Sequence, residues 1–190
     1  MPRIARDYVT AGASAVSVLC DGAGFGGTPL DVRRVVQAVQ APVLFKEFVL
    51  DPIQIALARA LGAHMVLLLV RALGPESLQA LVLETLRLGM APVVEAADPD
   101  ELGLALATGA TIIGINARDL RTFRVDAEAA ARVIALIPEG RIAVHMSGVG
   151  SAEDLARVAA GRADAVLIGG ALMQAPEPGD QLRDWLAALD

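Results

Sequence analysis

The sequence predicts an α/β fold: an incomplete TIM (β/α)8-type barrel with seven parallel strands. Three observations predict it. Short β-branched or leucine-rich runs alternate with longer amphipathic stretches, the pattern of a parallel sheet with crossover helices. The apolar fraction is 55% but aromatic residues make up only 3%, so the core is aliphatic, as suits strands buried on both faces. Each run also ends in a polar or small residue, and a barrel gathers such groups at the C-terminal rim of its strands.

The runs are Ala15 to Leu19, Pro42 to Phe45, Met65 to Val70, Pro92 to Val94, Thr111 to Ile115, Ile142 to Val144 and Ala165 to Ile168. Helical spacing fills the gaps, for example over Leu30 to Val39 and Pro75 to Leu88. A helix-like segment, Ile4 to Ala11, precedes the first run. Gly-Ala introduces a strand at Gly12-Ala13, Gly62-Ala63 and Gly109-Ala110, where glycine ends one helix and the chain turns into the next strand. No Pro/Ser-rich linker divides the chain, so residues 1–190 read as a single domain. The rim residues are Asp21, Lys46, Arg71, Glu95, Asn116, Ser147 and Gly169. An open doubly wound sheet would instead gather its ligand groups at one switch point. The glycine-rich loop Gly22 to Gly27 lacks the dinucleotide-binding spacing.

Charge and cysteine content exclude several function classes. The net charge is −6, which disfavours nonspecific binding to nucleic acid. One cysteine, Cys20, permits no internal disulfide and no Cys₂His₂-type zinc site. No leader-like segment opens the chain, and the apolar runs are too short to span a bilayer. The expectation is a cytoplasmic protein with no membrane partner.

Four positions carry chemistry. Lys46 ends the second run; it is either a structural ion pair, with Glu47 for example, or an ammonium that donates a proton or anchors a carboxylate. Alternation along the strand puts Leu44, Lys46 and Phe48 on one face. Glu95 faces the same way as Val93, either as a salt-bridge partner of an arginine such as Arg71 or as a general base. Asn116 either caps a turn or holds a substrate hydroxyl or a carboxylate, with the rim charge Arg118 nearby. The last two strand ends, Ser147-Gly148-Val149-Gly150 and Gly169-Gly170, read as a phosphate site, because small residues let backbone N–H groups approach an anion. Ser151 to Asp154 opens the helix after the first of these turns. His64 reads as structural, and His145 is open between a structural and a functional role.

These residues carry a family resemblance. Ser14 to Leu19, Phe25-Gly-Gly27, Pro42 to Phe48, Asp51-Pro52, Val66 to Leu69, Val94-Glu95, Gly114 to Leu120 and Ala171 to Pro176 resemble the indole-3-glycerol-phosphate synthase family, in its order and at similar spacing. The resemblance implies a lyase of tryptophan biosynthesis. Such an enzyme closes the pyrrole ring of 1-(2-carboxyphenylamino)-1-deoxyribulose 5-phosphate with loss of carbon dioxide and water. It implies Lys46 as general acid, Glu95 as general base and Asn116 as the residue that positions Glu95. It also implies an aromatic-substrate pocket of Phe25, Phe48, Leu67, Leu120 and Leu167 with Arg118 at its edge, and a phosphate held by Ser147, Gly148, Gly169 and Gly170. The only partner it names is an anionic sugar phosphate; neither metal nor organic cofactor is implied.

Two departures stand out. The family's first strand has no counterpart, and Met1-Pro2 falls where the family often has Asp-Pro. The expectations are a missing N-terminal strand, a misplaced start, and open sheet edges able to pair in a homo-oligomer. The family also reads Glu-Ser-Gly where this chain reads Met146-Ser147-Gly148. A methionine cannot exchange a proton, so a catalytically impaired barrel that binds a sugar phosphate or a partner chain is the alternative. A third reading, a sugar-phosphate isomerase on the same scaffold, fits the Lys46, Glu95 and Asn116 set less well.

Overall fold

A computed structural model describes residues 1–119 and 122–189. Two compact units emerge, Met1–Val93 and Val94–Asp190, and the boundary falls inside the strand β4.

The first unit runs α1 (Pro2–Thr10), β1 (Val16–Leu19), α2 (Gly22–Phe25), α3 (Pro29–Val36), β2 (Val43–Lys46), α4 (Pro52–Ala60), β3 (Met65–Leu69), a 3₁₀ turn at Val70–Ala72, α5 (Pro75–Arg87) and the start of β4 (Ala91–Ala96). Strands β1, β2 and β3 are parallel neighbours, with Leu19 level with Lys46 and Phe45 level with Val66. Alternation sorts their side chains. Val16, Val18, Val43, Phe45, Val66 and Leu68 are buried, with α3 packing on β1 and β2 and α5 on β3. Ser17, Leu19, Lys46 and Met65, on the other face, keep some exposure.

The second unit holds the rest of β4, then α6 (Pro99–Ala107), β5 (Ile112–Asn116), α7 (Ala127–Ile134), β6 (Ile142–Met146), α8 (Ala152–Ala159), β7 (Ala165–Leu167), α9 (Gly170–Gln174) and α10 (Pro178–Ala187). Here β5, β6 and β7 are parallel neighbours in register, Asn116 with Met146 and Met146 with Leu167. Helix α7 packs on β5 and β6, and α8 on β7.

Local chemistry explains the element ends. Proline opens α1, α3, α4, α5, α6 and α10 within the first turn, where its missing N–H costs nothing. The Gly-Ala pairs turn as expected, with positive φ at Gly12, Gly62 and Gly109. The third strand stops at Leu69, one residue short of expectation, because Val70 already belongs to the 3₁₀ turn. The fourth is longer than expected: Glu95 and Ala96 are buried and stay extended.

Candidate active site

In the first unit the loops after the strands are tied down by short polar side chains. Asp21 caps α2, accepting from the N–H groups of Ala23 (3.2 Å) and Gly24 (2.7 Å). Gln54 straps the loop after β2: its Oε1 accepts from Leu50 (2.8 Å) and Asp51 (3.1 Å), and its Nε2 donates to the Phe48 carbonyl (3.0 Å). Asp51 in turn accepts from the Ile53 N–H at 2.8 Å, which closes a capping box. Lys46 sits at the tip of β2, half-buried, one residue before this strapped loop. Continuing the β2–β3 register by one residue puts Lys46 level with Leu67, on the same face. Leu67 itself is buried, whereas Phe48 is 44% and Phe25 60% exposed. Both phenylalanines therefore offer apolar surface beyond strand tips, Phe25 at the end of α2 and Phe48 in the loop after β2.

In the second unit the strand tips hold one another. Glu95 is only 5% exposed, and a buried carboxylate needs donors in place of water. Asn116 supplies one, its Nδ2 donating to Glu95 Oε1 at 2.9 Å. Asn116 Oδ1 accepts from the Arg118 N–H at 3.0 Å. With both ends engaged, the amide has one orientation, and the carboxylate is aimed by it. The Arg118 guanidinium donates to the Phe123 carbonyl (3.2 Å) across the loop after β5. Leu120, expected in the same pocket, lies outside the described residues.

Met146 is 2% exposed and level with Asn116 on the same face of the sheet. Its thioether lies over Gly114, where a Cβ would come within 2.3 Å of Met146 Cε. Gly114 thus makes room for Met146, and a glycine inside a strand is the signal that should have disclosed the close approach. His145 is buried on the opposite face, so it cannot stand in for a carboxylate at position 146. His64 is exposed and accepts the Val43 N–H through Nδ1 at 3.2 Å, a structural role.

Both residues of the turn after β6 are left-handed, Ser147 at φ 66° and Gly148 at φ 80°. A Cβ on Gly148 would also sit 2.7 Å from Val125 Cγ1. Gly169 and Gly170, after β7, are exposed. The N-terminus of α8 is occupied by its own residues: Ser151 accepts from the Asp154 N–H (3.2 Å), and Asp154 accepts from Gly150 (2.9 Å). That backbone bond, with Arg157 alongside, holds the Asp154 carboxyl below the usual carboxylate range. An anion at this end of the unit must therefore rely on the glycine turns. The adjoining cavity of about 660 Å³ carries Glu153, Glu177 and Asp184 beside Trp185 and suits no phosphate. Among the described residues no three His, Cys, Asp or Glu side chains converge on a metal position, and no helix is long and apolar enough to cross a membrane.

Comparison with known proteins identifies the family. The family model for indole-3-glycerol phosphate synthase matches residues 1–185. The chain is 46% identical over 180 residues to indole-3-glycerol phosphate synthase 2 of Streptomyces coelicolor, covering 95% of this chain and 70% of that protein. It is 44% identical over 185 residues to indole-3-glycerol phosphate synthase of Parafrankia sp., covering 97% and 69%. Among solved structures, a 3-hexulose-6-phosphate synthase superposes with a TM-score of 0.80 at 16% identity, over 99% of this chain and 92% of that one. At that identity the likeness speaks for the fold, which is the TIM-barrel type with seven parallel strands. With the match running through the tips that carry Lys46, Glu95 and Asn116, the chain belongs to the indole-3-glycerol phosphate synthase family.

Proposed function

We propose that this chain performs its family's reaction, the ring closure of 1-(2-carboxyphenylamino)-1-deoxyribulose 5-phosphate to indole-3-glycerol phosphate in tryptophan biosynthesis. The ammonium of Lys46 protonates the ketone oxygen. The ring carbon bearing the carboxylate attacks the ketone carbon; a C–C bond forms there, and the bond to the carboxylate then breaks, releasing carbon dioxide and restoring aromaticity. Glu95 takes the proton whose loss completes the pyrrole double bond, while the hydroxyl accepts a proton from solvent and leaves as water. Asn116 keeps Glu95 aimed, and the Ser147–Gly148 and Gly169–Gly170 turns hold the phosphate. Phe25, Phe48, Leu67 and Leu167 cover the aromatic ring, with Arg118 at the edge.

The observation that carries this reading is the hydrogen bond from Asn116 to the buried Glu95. A carboxylate sequestered from water and oriented by an amide is arranged to move a proton. Met146 strengthens the assignment, since a thioether level with Asn116 can neither give nor take a proton and leaves base catalysis in the second unit to Glu95.

Indole fluorescence on mixing the chain with substrate tests the proposal. The unaltered chain should form product, and Met146→Glu, which adds a second carboxylate level with Asn116, should turn over faster by roughly tenfold or more. Absence of product from the unaltered chain would refute the function. A variant that gains nothing would refute the account of Met146.

A further inference from the structure

Met146 does more than leave base catalysis to Glu95. Its side chain runs from the tip of β6 back into the layer below. A Cβ built on Gly114 would lie 2.3 Å from Met146 Cε and 2.8 Å from Sδ. The thioether therefore occupies the space that a side chain at position 114 would fill. Gly114 stands two residues before Asn116 on the same face of β5, level with Val144. Sδ and Cε thus fill a slot beneath the Asn116 amide, the group that holds Glu95. An unbranched thioether suits an irregular apolar gap of this kind. A carboxylate placed there would have to give up its water against Gly114 and Val144.

The filled slot adjoins the surface assigned to the aromatic ring. Met146 is level with Asn116 on one side and with Leu167 on the other. Both neighbours keep some exposure, whereas Met146 is 2% exposed. Asn116 and Leu167 therefore reach the opening at the strand tips, and Met146 closes the gap between them from below. Leu167 is one of the residues read as covering the ring.

We propose that Met146 is a specificity-determining residue: its Sδ and Cε form the floor of the aromatic pocket, which admits an unsubstituted aryl ring and rejects one carrying a methyl group aimed at Gly114. The inference rests on the reading of the chain as a ring-closing enzyme, and it adds a choice among ring-substituted substrates. The discrimination comes from volume. One methylene too many in a packed apolar pocket lowers kcat/KM about tenfold or more.

Product formation, followed by indole fluorescence, tests it with the substrate and with analogues methylated at each free carbon of the aryl ring in turn. In the unaltered chain kcat/KM should fall about tenfold or more for at least one analogue. Met146→Val removes Sδ and Cε and should bring that analogue to within about threefold of the unsubstituted substrate. Gly114→Ala approaches the floor from the other side. Its methyl group displaces Cε, the end of a flexible side chain, toward the opening. KM for the unsubstituted substrate should rise about fivefold, and adding Met146→Val should remove the rise. Equal relative rates across the analogues in the unaltered chain and Met146→Val would overturn the inference and leave the ring closure standing. So would an unchanged KM in Gly114→Ala, which decides the matter if Met146→Val melts too low to assay. A rise in KM that Met146→Val does not remove would assign Gly114 to packing and also overturn it. No product from the unaltered chain with the unsubstituted substrate would overturn the function itself, and the specificity role with it.

Discussion

The two compact units fix their strand tips by different means. In residues 1–93 the loops are laced to the next helix by local caps, Asp21 for α2 and the Asp51–Gln54 box for α4, and Lys46 stands half-buried at the tip of β2. In residues 94–190 the tips are joined by contacts distant in sequence: Asn116 reaches back 21 residues to Glu95, and Met146 rests on Gly114. The difference follows from the charges involved. A lysine buries its stem and keeps its ammonium near solvent, so it needs only a rim and a well-placed strand. A carboxylate taken out of water has no such stem and requires a directional donor. An ammonium at a rim and a carboxylate in an interior thus call for different scaffolding.

The sharpest way to break this comparison is to neutralise the buried member. Glu95→Gln keeps the shape and loses the base; steady-state fluorescence assays should show kcat reduced by about 10²–10⁴. A loss under threefold would mean that Glu95 is merely structural. Next comes the left-handed turn of the second unit. Gly148→Ala meets both an unfavourable φ and the Val125 methyl, and chemical denaturation should register a loss of roughly 1–3 kcal/mol. An unchanged midpoint would show that the turn relaxes freely. The smallest effect belongs to the local lacing of the first unit. Gln54→Ala removes three hydrogen bonds from the loop after β2, yet solvent competes for all of them. A cost of about 1 kcal/mol, with faster amide exchange at Leu50 and Asp51, is expected; a larger penalty would make the two units alike.

Much of this was legible in the sequence because it depends on local pattern. All seven apolar runs became strands within a residue or two of their expected limits, since alternation and the Gly-Ala turns act over short distances. Lys46, Asn116 and Ser147 are readable as strand ends for the same reason, and the capping pattern from Asp51 to Gln54 is equally local. What could not be read depends on register between strands. That Met146 stands level with Asn116 and that Gly114 yields to its thioether both require knowing which residues of β5 and β6 are neighbours. The N-terminus of α8 misled for a subtler reason. Acidic residues in a first turn were visible, but not that Asp154 turns back on Gly150 and occupies the place of an anion.

The most direct test of the central claim compares the unaltered chain with Lys46→Ala, both mixed with 1-(2-carboxyphenylamino)-1-deoxyribulose 5-phosphate while indole fluorescence is followed. The account predicts product from the unaltered chain and a rate lower by about 10²–10⁴ in the variant. Equal rates in the two would contradict it, because the ring would then close without the ammonium at the tip of β2.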